Sequence, residues 1–183
     1  VAESLDVQEN SLKKFGETEV KRAIDCNFNQ IVHGTNLKNN DLNLIKNSNI
    51  NLCLCPRANA SLNVGIAPLN EIIESNISPI LGSDNLMLNS PDIFRELEFT
   101  CKLISVFKNY YIPSKELLKM ATTNICYSML NQLIEKSSIS EGAAAEFMVV
   151  RSKSKNHYLN IINRSNSKDI LIIVNKNNIH KYY

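Results

Sequence analysis

The chain has 183 residues, 44% of them hydrophobic, which is enough for one sizeable core and a small appendage. A net charge of +2, with no basic stripe interleaved by aromatics, argues against nucleic acid as a main partner. No apolar run reaches the roughly eighteen residues of a membrane span, so no membrane partner is expected.

The five cysteines, Cys26, Cys53, Cys55, Cys101 and Cys126, lie in apolar segments and are odd in number. That disfavours a disulfide framework and favours a reducing, cytoplasmic setting. Cys53 and Cys55 fall on one face if "LCLCP" is a strand, where small buried hydrophobes are the ordinary reading. A zinc site there would need further Cys or His at ligand spacing, and none is near. No signal peptide is visible, and a start at Val1 instead of Met marks a processed product or a fragment. Glycine occurs only five times, so each is expected where the backbone needs it.

In chain order, "VAESL" is a short stub. Residues 11–26 show helical spacing, with Val20, Ala23 and Ile24 on one side. "NQIVHG" (29–34) is an apolar run ended by Gly34. Residues 39–49 place Leu42, Leu44 and Ile45 at helical period. "INLCLCP" (50–56) is a second apolar run, stopped by Pro56. A helix is predicted over 67–76, then a third apolar run, "ISPILGSDN" (77–85). The strongest helix signal spans 90–109, where Ile93, Leu97, Cys101, Ile104 and Phe107 recur and Ser90 is placed to cap. One more helix, or two short ones, covers 114–136. This alternation predicts parallel βα units with strands covered on both faces. Neither GxGxxG nor GxxxxGK[ST] is present. After about residue 140 the texture becomes β-rich, over 143–152, 157–165 and 169–183, with polar turns between.

Glu3 lies in the stub, His33 ends the first run and Asp84 ends the third. In a parallel β/α barrel the chemistry gathers at the carboxyl ends of the strands. Each residue also has a bland explanation. A histidine after an apolar run is usually structural, Asp84 suits a helix cap or turn as well as a metal ligand, and Glu3 alone says little. Their matching placement favours a site. His157 and His180 have no acidic or Cys neighbours at ligand spacing and read as surface residues.

The stretches "VAES", "IVHGTNL", "LCLCPRANASLNVGIAPLNEII", "ILGSDNLMLNSPDIFRELEF", "LLKMATTN" and "SSISEGAAAEFMVV" run in one order over nearly the whole chain. In that order they resemble the C-terminal half of the amidohydrolase superfamily, in its deaminase and chlorohydrolase-like branch, with adenosine, S-adenosylhomocysteine and guanine deaminases as relatives. The resemblance implies an α/β fold: the second half of a metal-dependent (β/α)8 TIM barrel over 1–140, and strands of a small β-sandwich over 141–183. It implies one catalytic divalent metal, zinc foremost and iron as the other candidate. On that pattern Asp84 is a metal ligand and takes a proton from water. His33 orients the water or the leaving group, and Glu3 passes a proton to a ring nitrogen. Arg57 and Asn59 would line the substrate pocket. The HxH pair of strand 1 and the histidine of strand 5 have no counterpart here, "GSD" stands where the family has "GTD", and Glu146 stands where aspartate is common.

The implied function is hydrolysis of a non-peptide C–N bond in a small heterocyclic substrate, a deamination by metal-activated water, by an enzyme that could form a homodimer. The alternatives are a noncatalytic or inactive fragment, a cyclic amide hydrolase, and a chlorohydrolase.

Overall fold

Three short apolar runs build the first sheet of the computed structural model, which describes residues 1–106, 111–125, 139–175 and 178–182. Strands β1 (Gln30–Val32), β2 (Asn51–Leu54) and β3 (Ile80–Leu81) pair in parallel in that order. The register sets Ile31 against Leu52 and Leu54 against Leu81. Val1 and Ala2 continue the sheet beyond β1. The Val1 nitrogen donates to the Val32 carbonyl at 3.0 Å, and the Gly34 N–H donates to the Val1 carbonyl at 3.0 Å. Those are the slanted bonds of a parallel neighbour.

Side chains alternate across a strand, so the sheet has two apolar faces. Ile31, Leu52, Leu54 and Leu81 face the helices and share one core with them. That layer holds α2 (Glu19–Asp25), α3 (Asn39–Lys46), α5 (Leu69–Glu74), α6 (Ile93–Val106) and α7 (Ser114–Met120). They contribute Val20, Leu42, Ile72, Leu97 and Met120, among others. Each such fully buried side chain stabilises the fold by about 1.5–3 kcal/mol. Cys53, Cys55 and Ile80 point the other way and form a smaller cluster with Ala58, against which Val32 and Leu88 pack. Both cysteines are buried there with free thiols, as small hydrophobes.

Several expectations are corrected. The helix read over 11–26 is two. Helix α1 (Leu5–Phe15) ends at Gly16, whose φ of 73° lets its N–H return to the Leu12 carbonyl at 2.9 Å. Thr18 then caps α2 by accepting from the Lys21 N–H. Pro56 does not only stop β2; it opens a short helix, α4 (Pro56–Ser61), where its missing N–H is harmless. Helix α6 is capped by Asp92, whose Oδ1 accepts from the Phe94 N–H at 3.0 Å, and not by Ser90. Phe107, Cys126 and the part of the 114–136 helix beyond residue 125 lie outside the described residues.

The largest correction is at 157–165, expected as β. It is helix α8 (His157–Arg164), capped by Asn156 accepting from the Leu159 N–H at 3.1 Å. Helix α8 packs against α6 and α7, and its Ile162 belongs to the main core. Buried Asn160 ties it to the chain before it. Asn160 Oδ1 accepts from the Lys153 N–H at 2.7 Å, and Nδ2 donates to the Arg151 carbonyl at 3.1 Å. The remaining C-terminal residues do form β structure: β4 (Phe147–Val150), β5 (Ile170–Asn175) and β6 (Asn178–Lys181), an antiparallel sheet in that order. Among the described residues, no helix is long and apolar enough to cross a membrane.

Candidate functional site

Six non-glycine residues among those described have a left-handed backbone: Ala2, Asn27, His33, Asn63, Asn76 and Asp84. Asparagine tolerates that conformation in turns. Aspartate and histidine tolerate it as asparagine does, whereas for Ala2 it costs roughly 1–2 kcal/mol. Ala2 (φ 50°) precedes Glu3, His33 (φ 78°) follows β1, and Asp84 (φ 62°) follows β3. The chain is thus turned sharply at or beside each candidate residue, and such strain persists where the surrounding structure enforces it.

The enforcing contacts are visible. Fully buried Ala2 donates its N–H to Glu19 Oε2 at 2.7 Å. Asn36 donates from Nδ2 to the Glu3 carbonyl at 3.0 Å, and its N–H reaches the Ala2 carbonyl at 2.8 Å. The His33 N–H still bonds the Cys53 carbonyl at 2.9 Å, so the imidazole leaves from a backbone held by the sheet. A Cβ on Gly34 would stand 2.9 Å from Leu37 Cδ1, so glycine lets this exit pack against the core.

The structure brings Glu3, His33 and Asn59 together. His33 Nδ1 lies 3.0 Å from Asn59 Oδ1, and His33 Nε2 lies 3.8 Å from Glu3 Oε2. An amide oxygen only accepts, so Nδ1 carries a proton, and Nε2 is the ring atom turned toward Glu3. Asn59 is buried in α4, and His33 is mostly shielded.

Arg57 goes elsewhere. Its Nη1 lies 3.1 Å from Oε1 of the fully buried Glu96, and the same nitrogen donates to the Ser90 carbonyl at 3.3 Å. Nη2 donates to Asn89 Oδ1 at 3.2 Å. The guanidinium clamps α4 to α6 and to the segment after Asp84. Burial pushes the Glu96 carboxyl above the ordinary carboxylate range, and the Arg57 charge opposes that. Glu96 was invisible as a site feature in sequence, where it reads as one acidic residue of an amphipathic helix.

Asp84 is exposed. Two residues before it, a Cβ on Gly82 would stand 2.8 Å from Cys53 Sγ and 3.4 Å from Cys55 Sγ, so only glycine fits between strand end and thiols. The Cys55 thiol is held well above its usual range by its hydrogen bond to Cys53, then by burial and by nearby negative charge that includes Asp84. Among the described residues, no three His, Cys, Asp or Glu side chains gather into a set able to hold a metal ion. Asp84, His33 and Glu3 are of the donor types that suit a divalent ion, but they do not complete a centre.

Residues 1–179 match the model of the amidohydrolase family. A protein of Methanothermobacter thermautotrophicus, provisionally named an aminohydrolase, is 40% identical over 181 residues, 99% of this chain and 46% of that protein. The 5-methylthioadenosine/S-adenosylhomocysteine deaminase of Pyrococcus horikoshii is 28% identical over 170 residues, 89% of this chain and 39% of its own. The chain therefore spans less than half the length of these curated relatives. Two solved structures share its fold. An adenosine deaminase from Xanthomonas campestris with bound zinc superposes with a TM-score of 0.86 at 17% identity, over 98% of this chain and 44% of that one. Escherichia coli guanine deaminase superposes with a TM-score of 0.85 at 14% identity, over 100% and 47%. Matched over nearly its whole length, the chain belongs to the amidohydrolase family.

Proposed function

We propose that the protein deaminates a purine- or pyrimidine-like heterocycle, and that these residues supply the proton-handling side of its site. The parallel sheet is read as the second half of a (β/α)8 barrel and β4–β6 as part of a β-sandwich beside it. The observation that carries the reading is the meeting of Glu3, which follows left-handed Ala2, with left-handed His33 at the end of β1, and the bond of Asn59 to the imidazole.

Replacing an amino group by water needs one group to take a proton from water and another to deliver a proton to a ring nitrogen. Asp84 is assigned the first role and Glu3 the second. His33, held through Nδ1 by Asn59, orients the water or the departing ammonia. Arg57 is a positioning residue, since its clamp holds the segment that follows Asp84. Asn59 is the residue of the pocket that also sets the His33 tautomer. Asp84 is the ligand this chain contributes to a divalent metal, for which zinc is the candidate because the Xanthomonas campestris adenosine deaminase holds zinc. Such an ion, when bound, brings the pKa of its water down toward about 7. The other ligands would come from the part of the relatives that this chain does not span.

The test is ammonia release from a panel of adenine, guanine and cytosine nucleosides by the full-length protein. Wild type should turn over at least one of them. Glu3→Gln and His33→Phe should each lose about 10²-fold or more in kcat. Turnover that survives both substitutions would sink the assignment.

A further inference from the structure

The segment that carries Glu3 is fastened at one backbone group after another. The Val1 carbonyl accepts from the Gly34 N–H at 3.0 Å, and the Ala2 carbonyl from the Asn36 N–H at 2.8 Å. The Glu3 carbonyl accepts from Asn36 Nδ2 at 3.0 Å. These three bonds all come from the residues that follow β1. The Ala2 N–H is held differently. It donates at 2.7 Å to a carboxylate oxygen, Glu19 Oε2, from the first residue of α2. Ala2 is fully buried, so without that oxygen its N–H would have no water to turn to. Its φ of 50° is a conformation that alanine does not hold unaided. A bond from an N–H to a carboxylate is roughly twice as strong as a neutral one, and here it offsets that strain.

Glu19 is itself held in place. Its N–H donates to Gln8 Oε1 at 3.4 Å, and Gln8 Nε2 donates to Asp41 Oδ2 at 3.4 Å. The neighbouring Thr18 hydroxyl donates to Asp41 Oδ1 at 2.7 Å, and Asp41 is fully buried. Groups from α1, α2 and α3 therefore place the Glu19 carboxylate before any ligand arrives. A simpler role exists, because an acid in the first turn favours a helix through its charge. That role asks only for charge. The bond to Ala2 asks for an oxygen at the end of a side chain of this length.

We infer that Glu19 is a positioning residue for Glu3: through the Ala2 N–H it holds the left-handed turn that sets the Glu3 carboxylate 3.8 Å from His33 Nε2. The inference deepens the deaminase reading and rests on it, since what the position serves is proton delivery by Glu3.

Two substitutions in the full-length protein separate reach from charge. Glu19→Gln keeps an oxygen at full reach and loses the charge. Glu19→Asp keeps the charge and is one carbon short. The readout is ammonia release from the best nucleoside substrate of wild type. For Glu19→Asp, kcat should fall about tenfold or more while KM changes less than about threefold, because a misplaced proton donor slows the chemistry and not the binding. Glu19→Gln should stay within about threefold of wild type, as its amide oxygen still accepts. In a Glu3→Gln background, adding Glu19→Asp should cost less than about threefold, since nothing is left to aim. The inference is overturned if kcat for Glu19→Asp is no lower than for Glu19→Gln. It is equally overturned if Glu19→Asp costs as much with Glu3 replaced as with it present. Should wild type release no ammonia from any nucleoside, the deaminase reading fails, and crystal structures of wild type and Glu19→Asp decide the position. A Glu3 carboxylate that leaves His33 in Glu19→Asp supports the inference, and one that stays overturns it.

Discussion

At the scale of single residues, Gly82 shows how tightly the strand end is fitted. It sits where a methyl group would stand 2.8 Å from the Cys53 sulfur, on the β3 exit that leads to Asp84. Gly82→Ala should therefore destabilise the protein by about 1–3 kcal/mol through overpacking. Cys53→Ala in the same chain should restore much of that loss, because the obstructing sulfur is gone. Urea titration of both single variants and the double variant reads the coupling directly. Additive effects would place the strain elsewhere. His33 makes a related point about partners. Its position after an apolar run is legible in sequence, but the bond that sets its tautomer comes from Asn59, 26 residues away. No local pattern reports such a contact.

Elements are held to one another by a few buried polar groups. The Arg57–Glu96 pair joins α4 to α6, with Glu96 fully buried. Arg57→Met should cost about 3 kcal/mol near pH 7, since it leaves a buried carboxylate without its cation. The deficit should grow with pH. Burial already raises the folded Glu96 pKa above the ordinary carboxylate range, so its neutral form carries the stability present at low pH and lost as pH rises. Chemical denaturation at pH 5 and pH 8 checks the sign. The Lys153–Asp169 pair runs the opposite way. Its hydrogen bond, 2.6 Å from Lys153 Nζ to Asp169 Oδ2, holds the Asp169 pKa below the ordinary carboxylate value. Its contribution is present above the unfolded value of about 3.9 and disappears as pH falls through the folded value. Melting temperatures taken downward from pH 5 should fall more steeply for wild type than for Asp169→Asn. Helix α8 explains why one element was misread. Ile161 and Ile162 are β-branched and suggested a strand. The Asn156 cap, three residues before Leu159, was the local signal for a helix.

Over the whole molecule, the order of the parallel units was legible because Ile31, Leu52, Leu54 and Leu81 are apolar and must be covered. The placement of Glu3, His33 and Asp84 at strand ends followed from the same order. What could not be read was anything that depends on distant pairing: the Arg57 clamp, the Asn59 bond and the packing of α8 on α6 and α7. Polar Gln8 and Ser11 are the buried residues of α1, while its Leu5, Val7, Leu12 and Phe15 are exposed. Phe147, Met148 and Val149 of β4 are also substantially exposed. Apolar surface of this kind suits a unit whose relatives are more than twice its length. We propose that Asp84 takes the proton from water at a hydrolytic site. The measurement that tests it most directly is the rate of ammonia release by full-length Asp84→Asn on the best nucleoside substrate of wild type. A loss of about 10²–10⁴-fold in kcat with unchanged folding is expected. A rate within about tenfold of wild type would contradict it, because a residue removing the proton in the transition state cannot be lost so cheaply.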